Sequence, residues 1–298
     1  MRVVHIAATF AEGVAVRSRL PAIFSAPPVL DAAADMTPLL PCSGGIPGTW
    51  VTAPRPEPAR PVTESGMTIY LHGGGFAYSN PPLERIMAYR LSQVTGRPAF
   101  AVDYRLAPAH PFPAAIEDVV AAYRSFLSQD VPAGRILLAG ESAGATLLLS
   151  TLLVLAQAGD PLPAGAVALS PVTDFAANHW ATPSDQGCDP ADPVGDQYLA
   201  GARPDQAPQS PLYGDLRGLP PILLAVGGDE ILLHDARRFA EAATTAGVDI
   251  TLDIYDHMPH AFQATVVSPD ACHLPTATTF LQRVGEWVAR FPAAPAVR

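Results

Sequence analysis

Lysine is absent from the 298-residue chain, whose 18 basic residues are all arginine. A chain without lysine cannot supply the ammonium group of a P-loop, of a pyridoxal-phosphate Schiff base or of a lysine general base. Basic charge is also scarce, since 28 acidic residues leave a net charge of −10. A protein that neutralises phosphates needs a basic surface, so we expect no nucleic-acid partner.

Cysteine is nearly as rare, with Cys42, Cys188 and Cys272 scattered along the chain. Their odd number and the lack of CxxC spacing argue against a zinc site and a disulfide framework, and favour a reducing, cytoplasmic location. The histidines lack metal-ligand spacing such as HExxH. We therefore expect no metal and no cofactor.

Long apolar runs are missing as well. The longest, residues 143–158, is interrupted by polar side chains and falls short of the roughly 20 residues that a membrane span needs, so it predicts a buried helix. Near the start, His5 and Glu12 interrupt the apolar stretch of residues 1–28. We expect mature protein there rather than a leader.

The residues that are present favour an enzyme with a large core. Apolar residues make up 49% of the chain and charged residues only 15%, which is enough to bury a large part of the unfolded surface. The length is compatible with two domains, but α/β folds of this size often form one. We expect a single domain over residues 1–298.

Short apolar runs alternate with helical patterns, which is typical of an α/β fold with a mostly parallel sheet and helices on both faces. Two segments do not fit this alternation, residues 1–48 and 175–211, and we assign them to a small helical cap over the strand ends. The predicted strands are residues 67–71, 98–104, 135–139, 165–170, 221–226 and 249–255, and the predicted helices are residues 83–95, 114–128, 142–158, 234–246 and 276–290.

A GxSxG pentapeptide lies between the strand at 135–139 and the helix at 142–158, and its serine is Ser142. A strand–turn–helix context is what a nucleophile elbow requires, so Ser142 is the candidate nucleophile. Gly140 and Gly144 fit this turn because it brings backbone and helix too close for side chains.

Three consecutive glycines follow the strand at 67–71, in the run His72-Gly-Gly-Gly-Phe76. Free backbone N–H groups in such a loop can approach a substrate oxygen. We expect an oxyanion hole formed by Gly73 and Gly74 together with Ala143, the residue after the nucleophile, and we expect His72 to hold the loop through a hydrogen bond. A phosphate-binding loop is the alternative, but no helix begins at once and no GxGxxG pattern is present.

A serine nucleophile needs a base, and His257 and His260 follow the strand at 249–255. Pro259 rigidifies the loop before His260, which makes His260 the stronger candidate.

The base in turn needs a carboxylate to orient it. Asp229 and Glu230 follow the strand at 221–226, and only one of them can point into the site because neighbouring side chains diverge at a strand end.

Asp235 is a third candidate for this carboxylate, but its place near a helix start favours interaction with the helix dipole. The sequence pattern alone leaves the choice between Asp229 and Glu230 open.

Taken together, these motifs resemble the hormone-sensitive-lipase-like branch of the α/β-hydrolases, the microbial esterases also called family IV. The resemblance covers roughly residues 67 to 291 and implies an α/β-hydrolase fold, in which the chain order nucleophile, acid, histidine is the usual one. Glu141, Ala145 and Ala109 depart from the family pattern without removing a catalytic group. The segments that carry the resemblance are His72-Gly-Gly-Gly-Phe76, Asp103-Tyr-Arg-Leu-Ala-Pro108, Pro111-Phe-Pro-Ala-Ala115, Gly140-Glu-Ser-Ala-Gly144, Ser170-Pro-Val-Thr-Asp174 and His260-Ala-Phe262.

The resemblance also favours one of the two carboxylates. Family members usually carry Asp-Pro-Leu at this place, and counting from the double proline that ends at Pro221 aligns that aspartate with Glu230. The 30-residue separation of Glu230 from His260 agrees with the family spacing. Glu230 is therefore preferred over Asp229.

The predicted function is hydrolysis of short-to-medium acyl esters or lactones by a serine carboxylesterase, through an acyl-enzyme intermediate. The lactone possibility comes from the resemblance to acetyl-hydrolases and ε-lactone hydrolases. A non-catalytic small-molecule receptor on the same fold, and an amidase or acyltransferase with the same triad, are the alternatives. The expected partner is a small-molecule substrate, with a homodimer possible through the helix at 276–290.

Overall fold

The computed structural model describes residues 1–27, 29–42, 45–55, 60–177, 194–267 and 274–291. Its centre is an eight-stranded sheet with the order β1-β8-β7-β6-β5-β3-β4-β2, in which only the β2–β4 pairing is antiparallel. The strands are β1 (Arg2–Ile6), β2 (Gly48–Val51), β3 (Met67–Leu71), β4 (Ala99–Val102), β5 (Ile136–Glu141), β6 (Gly165–Leu169), β7 (Ile222–Gly227) and β8 (Ile250–Tyr255).

Helices cover both faces of this sheet, as expected for parallel strands joined by crossovers. One apolar layer joins the sheet to α4, α5 and α7, and the other joins it to α1, α3 and α8. The helices are α1 (Phe10–Ser25), α2 (Val62–Ser65), α3 (Pro81–Thr95), α4 (Ala114–Leu127), α5 (Ala143–Ala158), α6 (Val194–Leu199), α7 (Leu233–Thr245) and α8 (Pro275–Val288).

The predicted α/β class, with a mostly parallel sheet between helices, is confirmed. Every strand and helix predicted from the alternation is present, with ends that differ by at most two residues. The run at 143–158 forms the buried helix α5. Among the described residues, none of the helices combines the length and the apolar character that crossing a bilayer demands.

The assignment of residues 1–48 to a cap is wrong at its start, and the strand that begins where the segment ends was not predicted. Arg2–Ile6 forms β1, which pairs in parallel with β8, and Gly48 begins β2, which pairs with β4. Both strands lie at the edges of the sheet, and β1 is largely exposed. An edge strand has a partner on one side only, so its sequence lacks the long apolar run that marked the central strands.

The middle of this segment does lie above the carboxyl edge of the sheet. From the end of β1, α1 passes the turn after β7, where Arg17 Nη2 donates to Asp229 Oδ2 at 3.1 Å. It ends near the loop after β3, where Asn80 Nδ2 donates to the Phe24 carbonyl at 3.0 Å. Helix α1 therefore covers one side of the region where the predicted site residues converge.

The second expected cap segment, residues 175–211, is described in part, since residues 178–193 lie outside the described residues. Its described parts include a short 3₁₀ turn at Phe175–Ala177 and helix α6. In α6, Tyr198 stacks on Phe76 with ring centroids 3.9 Å apart, so α6 packs against the end of the loop at residues 72–76. Cys42 is half-buried and has a free thiol, whereas Cys188 and Cys272 lie outside the described residues.

Candidate active site

Ser142 occupies a sharp turn between β5 and α5. Its φ of 50° and ψ of −119° are unusual for a residue with a side chain, which is the strain expected of a nucleophile elbow. The Ser142 N–H donates to the Leu169 carbonyl at 2.7 Å and fixes the turn against β6. A Cβ on Gly144 would lie 2.1 Å from the Leu71 carbonyl oxygen, and one on Gly140 would lie 2.5 Å from the Gly144 carbonyl oxygen. Only glycine fits at these two positions.

His260 reaches Ser142 from the loop after β8. Its Nε2 lies 3.0 Å from Ser142 Oγ, although the two residues are 118 positions apart in the sequence. The loop is held against the turn after β7, because the Asp229 N–H donates to the Met258 carbonyl at 3.0 Å. A Cβ on Gly227 would lie 2.3 Å from that same carbonyl oxygen, so glycine is what allows the close approach.

Glu230 contacts the far side of the imidazole. Its Oε2 lies 3.3 Å from His260 Nδ1 and accepts a second hydrogen bond from Ser170 Oγ at 3.0 Å. The Glu230 side chain is fully buried, whereas that of Asp229 is 38% exposed and forms a salt bridge with Arg17. The structure thus brings Glu230, and not Asp229, to the predicted base.

The electrostatic surroundings of His260 favour its charged form. Burial by itself lowers the pKa of the imidazolium, but the hydrogen bond to Glu230 and the negative charges of Glu230 and Glu141 outweigh that effect. The net result is a pKa above the ordinary histidine value. A raised pKa makes the imidazole a stronger base for accepting a proton from Ser142 Oγ.

The two weaker candidates from the sequence lie elsewhere. His257 is 45% exposed, with its Nδ1 3.9 Å from Asp229 Oδ2 and its ring edge-on to Phe10. Asp235 is buried in the first turn of α7, where its Oδ2 accepts the backbone N–H groups of Thr173 at 2.9 Å and Asp174 at 3.2 Å. Its carboxylate therefore fixes the loop after β6 rather than the imidazole.

The glycine loop after β3 lies directly beside Ser142. A Cβ on Gly73 would lie 3.3 Å from Ser142 Cβ. Gly74 has a φ of 124°, and a Cβ there would lie 2.1 Å from the Tyr78 carbonyl oxygen. Within the described part of the chain, the N–H groups of Gly73 and Gly74 donate to no acceptor. The N–H of Ala143, at the first position of α5, is one of those that a helix start leaves unpaired within the helix.

His72 holds this loop in place. Its Nδ1 lies 2.6 Å from the Gly73 carbonyl oxygen, and its ring stacks on Tyr104 with centroids 4.3 Å apart. Tyr104 Oη in turn donates to the His72 carbonyl at 2.7 Å. Glu84 Oε1 lies 3.5 Å from His72 Nδ1 and accepts the Asn80 N–H at 2.6 Å. These contacts agree with the expected structural role of His72.

A cavity of about 530 Å³ opens above Ser142 and His260. This volume is within the range of small-molecule sites, which lies roughly between 300 and 1,000 Å³. Its wall is mostly apolar and includes residues from α1, from the glycine loop and α3, and from the segments after β6, β7 and β8: Phe24, Phe76, Tyr78, Leu83, Val172, Phe175, Ile231, Leu232 and Ala264. The cavity therefore fits a small molecule with an apolar portion.

No role in the site was predicted from the sequence for Ser170 or Glu84, although Ser170 begins one of the segments that carry the family resemblance. Ser170 directly follows β6, and its position at the carboxyl edge of a parallel strand is the pattern that could have indicated it. Glu84 lies in the first turn of α3, where an acidic residue is usually explained by capping of the helix, so its contact with His72 could not be expected from the sequence.

In the described residues, no group of three or more histidine, cysteine or acidic side chains is arranged to hold a metal ion.

Comparison with known proteins agrees with this geometry. A family model described as the alpha/beta hydrolase fold matches residues 68–264, and the chain belongs to this family, in its hormone-sensitive-lipase-like branch of esterases. An acetyl-hydrolase of Streptomyces hygroscopicus is 43% identical over 213 residues, which cover 69% of this chain and 71% of the relative. An esterase of Acinetobacter venetianus is 33% identical over 205 residues, which cover 66% and 67% of the two chains.

Solved structures extend the likeness to nearly the whole chain. The crystal structure of an esterase from the bacterial hormone-sensitive lipase family superposes with a TM-score of 0.76 at 35% identity, and covers 96% of this chain and 93% of that one. The resemblance found in the sequence motifs is confirmed.

Proposed function

We propose that the protein hydrolyses short-to-medium acyl esters or lactones, with Ser142 as nucleophile, His260 as general base and Glu230 as the carboxylate that orients His260. The observation that carries this proposal is the pair of contacts through the imidazole, 3.0 Å to Ser142 Oγ and 3.3 Å to Glu230 Oε2. Ser142 and His260 line a cavity that fits a small molecule.

Acylation starts when Ser142 Oγ attacks the ester carbonyl carbon and its proton passes to His260 Nε2. The carbonyl oxygen becomes an oxyanion, which the N–H groups of Gly73, Gly74 and Ala143 stabilise. When the tetrahedral intermediate collapses, the bond to the alcohol oxygen breaks and that oxygen takes the proton from His260. The acyl group is then bound to Ser142 Oγ as an ester.

Deacylation repeats these steps with water. His260 Nε2 accepts a proton from the water while the water oxygen attacks the acyl carbon, and the same N–H groups stabilise the second oxyanion. Ser142 Oγ leaves with the proton held by His260, which restores the free enzyme and releases the carboxylic acid. Glu230 stabilises the imidazolium that forms in both halves of the reaction.

The apolar wall and the limited volume of the cavity support acyl groups of short to medium length. Relatives named acetyl-hydrolase and esterase support the same substrate class. Lactones are proposed because hydrolysis of a cyclic ester uses the same steps. We further propose that α1 and the described parts of the segment at 175–211 form the cap, that the protein acts in the cytoplasm, and that a homodimer can form through α8.

The test is a panel of p-nitrophenyl esters of increasing acyl length, lactones and amides, assayed with the wild type and with Ser142→Ala. We expect hydrolysis of the shorter esters, and a loss of about 10⁶-fold in kcat in the variant. Ser150→Ala is the matched control, because it removes a serine hydroxyl that does not line the cavity and instead donates to the Pro208 carbonyl. A serine-directed phosphonate should label Ser142 alone.

Other outcomes have definite meanings. Near wild-type turnover in Ser142→Ala would refute the assigned nucleophile. Cleavage of amides in preference to esters would indicate an amidase, and transfer of the acyl group to an added alcohol in place of water would indicate an acyltransferase. Saturable binding of an ester without turnover would favour a receptor.

A further inference from the structure

Ser170 directly follows β6, and it is not among the residues that line the cavity. It is fully buried, and its φ of 50° is a conformation that residues with side chains rarely adopt. Its N–H donates to the Ala225 carbonyl of β7 at 2.8 Å. The backbone that carries this hydroxyl is therefore fixed between two central strands, and backbone strain of this kind persists where the surroundings hold it in place.

The hydroxyl of Ser170 converges with His260 on one carboxylate oxygen. Ser170 Oγ lies 3.0 Å from Glu230 Oε2, and His260 Nδ1 lies 3.3 Å from the same atom. The other oxygen, Oε1, is buried and has no hydrogen-bond partner in the described part of the chain. These two contacts are therefore the hydrogen bonds that hold the Glu230 carboxylate.

A glutamate needs such a contact more than an aspartate would. Its side chain has one more rotatable bond, so more rotamers must be excluded to keep the carboxylate beside an imidazole. An ionised carboxylate only accepts hydrogen bonds, so the Ser170 hydroxyl is the donor in this contact. Hydrogen bonds to charged groups are roughly twice as strong as those between neutral groups. Ser170 can thus fix the position of the Glu230 carboxylate.

We propose that Ser170 is a positioning residue, which holds the Glu230 carboxylate against His260 without contacting substrate. This inference rests on the proposed roles of Glu230 and His260. It goes beyond them because it assigns part of the orienting function to a residue outside the triad.

The first experiment compares kcat and KM of the wild type, Ser170→Ala and Ser170→Gly on a short-chain ester. Removal of the hydroxyl should lower kcat by about 10- to 100-fold, as expected for loss of a hydrogen bond to a charged group, and should leave KM nearly unchanged. Glycine accepts a φ of 50° without strain, so Ser170→Gly keeps the test open if Ser170→Ala does not fold. Ser150→Ala, which removes another buried serine hydroxyl, should retain wild-type kcat.

The second measurement is the pH profile of kcat/KM. Loss of Ser170 Oγ should move the acid limb to lower pH, because Glu230 is then held less closely to His260 and supports the imidazolium less. The other charged groups near the imidazole stay unchanged: Glu141 on β5, which accepts from Tyr70 and Gln263, and Asp229, which pairs with Arg17 and lies near His257. A purely structural role of Ser170 would leave the limb in place.

A double-mutant cycle identifies the group through which Ser170 acts. In a Glu230→Gln background, Ser170→Ala should change kcat by no more than about 2-fold, because residues that act through one another are not additive. An equal fall in kcat in both backgrounds, or an acid limb that stays in place or moves to higher pH, would overturn the inference.

The cycle also separates failure of this inference from failure of the proposed triad. If Glu230→Gln is inactive while Ser170→Ala and Ser170→Gly keep wild-type kcat, the triad stands and the role of Ser170 is refuted. If Glu230→Gln itself retains wild-type activity, the proposed acid and the inference that depends on it are both refuted.

Discussion

Asp229 and Glu230 are adjacent carboxylates with opposite environments, and exchanging each one for its amide separates their roles. Glu230 is fully buried with its Oε2 3.3 Å from His260 Nδ1, whereas Asp229 is 38% exposed and pairs with Arg17. Glu230→Gln and Asp229→Asn each remove one negative charge and preserve the shape of the side chain. Any difference between them therefore reports the surroundings of the two groups.

Glu230→Gln should lower kcat by about 10⁴-fold, the loss known for the equivalent change in a serine triad. That loss corresponds to about 5 kcal/mol of transition-state stabilisation. The physical reason is twofold. A neutral amide no longer stabilises the imidazolium, and an amide NH₂ facing Nδ1 favours the tautomer whose proton is on Nε2. With its proton on Nε2, His260 cannot accept one from Ser142 Oγ.

Asp229→Asn should change kcat by no more than about 2-fold, since its side chain is 38% exposed and pairs with Arg17 rather than with His260. Loss of the exposed salt bridge between Asp229 and Arg17 should lower the free energy of unfolding by between about 0 and 1 kcal/mol, the usual range for such a pair. The Asp229 backbone N–H, which holds the Met258 carbonyl, is present in the variant as well. Asp229→Asn is thus the matched control for Glu230→Gln.

The two variants should be assayed side by side for kcat and KM on a short-chain ester. Thermal melting of each variant distinguishes lost activity from lost folding. The reasoning is refuted if Asp229→Asn is the inactive variant and Glu230→Gln remains active, because the acid would then be the adjacent residue. The assignment of the chain to the esterase family would stand with either result.

Three further predictions concern the base, the elbow and metal dependence. Because the pKa of His260 is raised and only neutral imidazole accepts a proton, kcat/KM should increase with pH through a midpoint above about 6.5; a pH profile that is flat from acid to neutral would contradict the assigned base. Gly144→Ala should lower both the melting temperature and kcat, since its Cβ would lie 2.1 Å from the Leu71 carbonyl oxygen, whereas Gly134→Ala meets no atom within 4 Å and should affect neither. Incubation with a chelator should leave the esterase rate unchanged, because every proposed step uses side-chain and backbone groups; activity that is lost and then restored by zinc would contradict this.

The sequence by itself determined the features that depend on residues close together in the chain. Apolar runs and helical periods predicted the central strands and helices, because burial on both faces imposes a pattern on each segment separately. Ser142 and the glycines around it could be recognised because a tight turn restricts the residues that fit within five positions. The glycine loop beginning at His72 was recognisable for the same reason, since free N–H groups need a backbone without side chains.

The tertiary structure decided what depends on contacts between distant segments. β1 and β2 were not predicted as strands because an edge strand is identified by its neighbour in the sheet, and its own sequence carries little pattern. Residue pattern alone left Asp229 and Glu230 equivalent, since the direction of each side chain depends on how the turn after β7 packs against the loop after β8. Ser170 lies 60 residues from Glu230 in the sequence, and only the packing of β6 beside β7 brings its hydroxyl to the carboxylate.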